Sequence, residues 1–237
     1  GGDLQLASRG DILNESGRLS GDNVVLRADG DITHRTWSQR ESFGSEKNGN
    51  WYTQVGDAAT VEARRTQLQM AGGDLHVIGG QLAGTNVALA AGGSILLDTV
   101  QVDQGYSFSG GDWAMSESQI RQVQTEVSAL QQLQLQAGAD IIAIAATITA
   151  GEGASLDVGG NLLLLAAEES DHFSTYSKDS GSFGRSESHE VVHDESRLLG
   201  TTITVGNSND PDAMPGQLTM TAGKDITLQA SQAMASG

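Results

Sequence analysis

The groups in this 237-residue chain with potential for chemistry are 5 histidines, 30 acidic residues and a small set of aromatic rings. His189 and His193 are four apart, with Glu190 and Glu195 close by. On a helix that spacing would turn two imidazoles toward one zinc ion. The segment is Ser-rich and alternating, however, and residues four apart on a strand share a face but lie ~13 Å apart, too far for one ion. They read as solvated hairpin side chains, the alternative being pH sensing, for which imidazole is the suited group. Asp3, Asp11, Asp31, Asp74, Asp140 and Asp225 invite a calcium reading. Calcium-binding β-rolls use a Gly-Gly-x-Gly-x-Asp nonapeptide; here a strand follows the Asp directly and the steps are irregular, so the Asp reads as a corner-stabilising residue. Asp112, Glu117, Asp171 and Glu187 could pair as acid and base, but no Arg or Lys cluster accompanies them on successive turns. The chain is expected to be no enzyme, with no metal or cofactor. The aromatic residues Trp37, Phe43, Trp51, Tyr52, Tyr106, Phe108, Trp113, Phe173, Tyr176 and Phe183 read as cross-strand pairs and as a docking surface for a membrane, a partner protein or another subunit.

The elements that position these groups follow from repeats. Asp3-Leu4-Gln5-Leu6 returns as Asn23-Val24-Val25-Leu26, and Gly10-Asp11-Ile12 as Gly30-Asp31-Ile32, each 20 residues on. The beat continues through Asp74-Leu75-His76-Val77, Ser94-Ile95-Leu96-Leu97, Asn161-Leu162-Leu163-Leu164 and Asp225-Ile226-Thr227-Leu228. Alternation such as Leu-Gln-Leu turns one face inward, and Gly-Asp supplies a tight corner. One such unit cannot bury its apolar face, whereas stacked units share a core. The expectation is an all-β fold, a right-handed parallel β-helix of about 20 residues per turn, with small inward residues and no room for rings.

Three interruptions, about 34–67, 99–131 and 168–198, hold every aromatic residue and the histidines His34, His172, His189 and His193. Each has a turn signal near its middle: Asn48-Gly49, Gly110-Gly111 and Ser180-Gly181. They read as three projecting antiparallel hairpins able to pair side by side. Removing them leaves about seven turns, a rod of about 34 Å at ~4.8 Å per turn. Glu62-Ala63-Arg64-Arg65 reads as a charged hairpin edge, and the Gln-rich run from Gln119 to Gln136 as either a short helix or a polar strand. The Pro-containing stretch 206–216 reads as a bulging loop.

Composition narrows the class. A net charge of −17 argues against a nucleic-acid partner, which needs clustered Lys and Arg. The absence of cysteine excludes disulfides and thiolate sites. No apolar run approaches the roughly 18 residues of a membrane helix.

The strings Gly-Gly-Asp-Leu-Gln-Leu (1–6), Gly-Asp-Ile and Ala-Gly-Lys-Asp-Ile-Thr-Leu (222–228) resemble the haemagglutinin repeats of filamentous haemagglutinin, found in the large exoproteins of two-partner secretion. The insert Glu187-Ser188-His189-Glu190-Val191-Val192-His193-Asp194-Glu195-Ser196 resembles the second class of these repeats, known from contact-dependent growth inhibition toxins. The resemblance covers nearly the whole chain, which then reads as a single β-helix segment, 1–237, internal to a longer exoprotein. It implies secretion to the surface of a Gram-negative cell through an outer-membrane two-partner secretion transporter. It further implies a non-catalytic filament that acts at the target-cell outer membrane, or an envelope protein there, during toxin translocation. The alternatives are the shaft of an adhesin and a carbohydrate-active β-helix. Self-association through the hairpins or the open rod ends is expected as well.

Overall fold

The computed structural model describes residues 1–45, 47–180, 185–206 and 215–236. Among them there is no helix; the chain is built of strands linked by short corners. The strands fall into three columns. The lead column runs Leu4–Ser8, Val24–Ala28, Thr66–Ala71, the second half of Gln81–Ala91, the second half of Glu126–Ala137, Gly153–Val158 and Gln217–Ala222. The middle column runs Ile12–Glu15, Ile32–Arg35, Leu75–Ile78, Ile95–Asp98, Ile141–Ile144, the start of Leu162–Ser180 and Ile226–Leu228. The trailing column runs Arg18–Gly21, Thr60–Ala63, the first half of Gln81–Ala91, the first half of Glu126–Ala137, Thr147–Ala150, Thr202–Val205 and Gln232–Ala235. Every pairing within a column is parallel, and the chain visits lead, middle and trailing columns in that order seven times. We call each visit a layer.

Alternation fills the interior. Leu75 and Val77, Ile95 and Leu97, Ile141 and Ala143, and Leu162 and Leu164 are all fully buried on successive middle strands. Each buried Leu or Ile contributes roughly 1.5–3 kcal/mol relative to exposure. The expected aliphatic interior is interrupted near one end. His34 is completely buried on Ile32–Arg35, between Asn14 and Val77 in register, so one ring does fit the core. Its Nε2 lies 2.8 Å from Gln69 Oε1 and its Nδ1 3.3 Å from Asn14 Nδ2. The Gln69 oxygen only accepts and the Asn14 amide only donates, so the imidazole is neutral with its proton on Nε2. Gln67, in register between Val24 and Val87, is buried as well.

The Asp residues of the repeat form a ladder at one corner. Asp11 Oδ1 accepts the Asp31 N–H at 2.8 Å, Asp74 Oδ1 the Ser94 N–H at 2.7 Å, and Asp140 Oδ1 the Asn161 N–H at 2.6 Å. Ser94 Oγ and Asn161 Oδ1 continue it to the N–H groups of Asp140 and Asp225. Every layer thus lends an oxygen to the amide of the next. Above an Asp, the residue before the donating amide has to make way for that oxygen: a Cβ on Gly93 would lie 2.1 Å from Asp74 Oδ1. Above Ser94, whose side chain is shorter, the same position holds Ala139.

At another corner, between middle and trailing strands, layers alternate. Layers one, three, five and seven turn on a single residue with positive φ: Ser16 (49°), Gly79 (62°), Ala145 (48°) and Ala230 (48°). Layers two, four and six instead send out antiparallel hairpins: Ser38–Gly44 with Gly49–Val55, Val100–Ser109 with Trp113–Val123, and residues 166–180 with Ser186–Gly200. A buried threonine seals each base. The hydroxyl of Thr36 donates to Gly79 O, that of Thr125 is shared between Val77 O and Asp98 O, and that of Thr201 between Ala143 O and Leu165 O.

These observations revise several boundaries. Beyond the first hairpin, Thr60–Ala63 and Thr66–Ala71 belong to the parallel columns because Val61, Ala63, Gln67 and Gln69 face the core. Glu62 and Arg64 are accordingly no hairpin edge; they pair with Arg18 and Asp22 of the layer below. The Gln-rich run is strand, Trp113–Val123 and Glu126–Ala137, since Val127, Ala129, Leu133 and Leu135 alternate inward. The loop expected over 206–216 lies mostly outside the described residues.

Candidate interaction surface on the hairpin sheet

The three hairpins join into one six-stranded antiparallel sheet. Gly49–Val55 pairs with Val100–Ser109, and Trp113–Val123 with Leu162–Ser180. The register places Phe43, Tyr106, Glu117, Phe173 and His193 in one cross-strand row, and Glu41, Tyr52, Gln104, Gln119, Asp171 and Glu195 in another two residues away. Rows two residues apart share a face. One face therefore carries Phe43, Tyr52, Tyr106, Phe108, Trp113 and Phe173. The opposite face carries Trp51 and Tyr176 among Ser42, Gly105, Ser107, Ser116, Ser118 and Ser174.

The aromatic face is ordered by ring contacts and by carboxylates. Phe43 and Tyr52 stack with centroids 6.0 Å apart, and Tyr106 and Phe108 approach at 5.7 Å. The Tyr52 hydroxyl donates to Glu41 and that of Tyr106 to Glu117, each at 3.0 Å. Those carboxylates, with burial second, raise the pKa of both phenols. Phe43 and Trp113 remain about half exposed, at 52% and 51%. On the other face Arg40 lies over Trp51, 5.6 Å from the ring, a cation–π contact. The Trp51 ring fills the space beside Gly105, where a Cβ would meet it at 2.5 Å.

Ion pairs clasp hairpin to hairpin. Arg40 reaches Asp103 at 2.7 Å, and Thr53 also donates to that carboxylate. Arg121 grips Asp171 through two bonds of 2.8 Å. Glu169 is the buried member: one oxygen accepts the Gln122 N–H and the other the Arg197 guanidinium. Burial alone would push the Glu169 carboxyl up, but these donors outweigh it and hold it below the usual range. Sequence reading had no signal for Glu169, Thr36, Thr125 or Thr201, because their partners lie more than 20 residues away along the chain.

The remaining candidates are dispersed. Trp37 stands before the first hairpin strand, its N–H donated to Ser16 Oγ at 2.9 Å. Phe183 lies outside the described residues. His172 bonds Asp194 at 2.5 Å across the third hairpin, on the face away from His193. His189 lies 3.5 Å from Glu187. Among the described residues no group of three or more His, Asp or Glu is arranged to hold a metal ion.

Stacked layers of Gly-Asp strands with a lateral hairpin sheet define a repeat-built protein, and residues 99–182 match the hemagglutinin repeat family. The chain carries that repeat, as its motifs led us to expect. It is 32% identical over 233 residues, 98% of its length, to "Toxin CdiA" of Escherichia coli. It is 29% identical over 240 residues to "tRNA nuclease CdiA" of Escherichia coli O6:K15:H31 (strain 536 / UPEC), again over 98% of its length. The chain spans 7% of the length of each of these relatives. No solved structure matches it.

Proposed function

We propose that this chain is a non-catalytic stretch of the filament of a secreted contact-dependent growth inhibition toxin. In this reading it is a right-handed parallel β-helix forming one segment. The parent leaves a Gram-negative cell through an outer-membrane two-partner secretion transporter and stands on the cell surface. The hairpin sheet then acts at the target-cell outer membrane, or on an envelope protein there, while the toxic end crosses. One observation carries the proposal: a likeness to CdiA toxins over 98% of a chain whose aromatic residues gather mostly on the hairpin sheet, away from the core. Vectorial export suits a cysteine-free repeat in which each layer templates the next.

The test removes hairpin 100–123 from the full-length parent and closes the gap with a short corner like Ile144-Ala145-Ala146-Thr147. Surface display should persist while toxin delivery to neighbouring cells is lost. Unchanged delivery would refute the role. An adhesin shaft would behave oppositely, losing attachment when layers are deleted and keeping it when hairpins are.

A further inference from the structure

The two edges of the hairpin sheet are unequal. One edge, Ser38–Gly44, has 7 residues and ends on a positive-φ glycine. The other, Ser186–Gly200, has 15 residues, with neither Pro nor Gly before its last position and exposure along nearly all of it. Folded proteins normally blunt or cover such a strand. Every second amide and carbonyl of Ser186–Gly200 points away from its one partner strand, Leu162–Ser180.

The layers explain what that edge is for. Neighbouring strands lie about 4.8 Å apart whether parallel or antiparallel, so two layers advance about 9.6 Å, and one hairpin, being two strands, is equally wide. Hairpins leave layers two, four and six, so each arrives where the previous hairpin ends, and the second strand of one pairs with the first strand of the next. Layer seven turns on Ala230 and sends out nothing. The same spacing places the next hairpin on an eighth layer, directly against Ser186–Gly200.

We propose that Ser186–Gly200 is a docking edge for the first strand of a further hairpin of this design, entering antiparallel from the layer beyond Gln232–Ala235. The established interfaces at Gly49–Val55 and Trp113–Val123 continue across it without a change of spacing. A second copy stacked end to end does not supply this strand. Layer seven of one copy and layer one of the next are both without hairpins, so the nearest hairpins would stand three layers, about 14 Å, apart. The inference concerns how the sheet grows and is independent of the delivery role.

The test is an extended chain: residues 1–235 followed by a second copy of 151–205, which adds one layer carrying its own 166–200 hairpin. A control extension replaces that second 166–200 with a single alanine, adding the layer alone. Hydrogen exchange of the amides in 186–200 is the readout. The hairpin-bearing extension should slow the outward amides by roughly tenfold or more, and the control should leave them as they are in the 237-residue chain. Equal exchange in all three chains, while the added layer itself is protected, would overturn the proposal. So would protection in the control, or a concentration-dependent dimer of the 237-residue chain that protects the same amides.

Discussion

Asp31 Oδ1 accepts the backbone N–H of Asp74 at 2.7 Å, although 43 residues separate them. Where no hairpin intervenes, the same bond closes over 20 or 21 residues. The first hairpin accounts for the excess: it leaves the layer and returns without disturbing the stacking. The layers are thus indifferent to what projects from their corner, and filament and hairpins can be altered separately.

The ladder predicts a coupled pair. Gly93→Ala should destabilise the fold by about 2 kcal/mol, because its Cβ would meet Asp74 Oδ1 at 2.1 Å. In an Asp74→Ser background the same change should cost well under half as much, reproducing Ala139 above Ser94. A double-mutant cycle in urea measures the coupling; additive effects would contradict the ladder.

At the alternating corner, Gly79→Ala should cost about 1–3 kcal/mol. The residue has φ +62°, and a Cβ would lie 2.8 Å from Val100 Cγ2. Thermal melts compare it with Ala145→Gly, which relieves the left-handed strain but gives up a buried methyl and should stay within about 1 kcal/mol of wild type.

Thr201→Val keeps the shape and removes the hydroxyl that the carbonyls of Ala143 and Leu165 share. Losing that shared donor, and the acceptor it offers the Ala146 N–H, should cost about 1–3 kcal/mol, with hydrogen exchange rising first at the base of the third hairpin.

Acid should loosen the hairpin sheet. Glu169, Asp103 and Asp171 are held below their ordinary values, Glu169 and Asp103 against the opposing effect of burial, Asp171 chiefly by Arg121. Their contribution is fully present above the unfolded carboxylate values of about 3.9–4.3 and is lost as pH falls through the lower folded values. Glu169→Gln should flatten that part of the profile of stability against pH.

His34 acts in a different window. Burial lowers its pKa, only partly opposed by Gln69. The unfolded chain therefore takes up the proton first, and stability falls as pH drops from about 6.5 toward the lower folded value. No Asp, Glu, Lys or Arg is buried on the strands around it, where the inward polar groups are Asn14, Gln67 and Gln69. A proton titration should show His34 still neutral at pH values where the same imidazole in the unfolded chain is charged.

The twenty-residue beat of Leu, Ile and Val after Gly-Asp determined the strands, their parallel stacking and the likeness to haemagglutinin repeats. That much is local: a strand and its corner are decided by residues a few positions apart, and repetition supplies the identical neighbour each needs. The interruptions at about 34–67, 99–131 and 168–198, with their central turn signals, likewise announced hairpins, and the aromatic residues marked them. What the tertiary structure alone decided lies across layers. It brought His34 into the core against Gln69 and set hairpins on every second layer. It divided the aromatic residues between two faces and brought the Gln122 N–H of the second hairpin onto Glu169 of the third. Each of these depends on which residue arrives above or below after a circuit whose length the hairpins change, so spacing along the chain no longer reports distance in space.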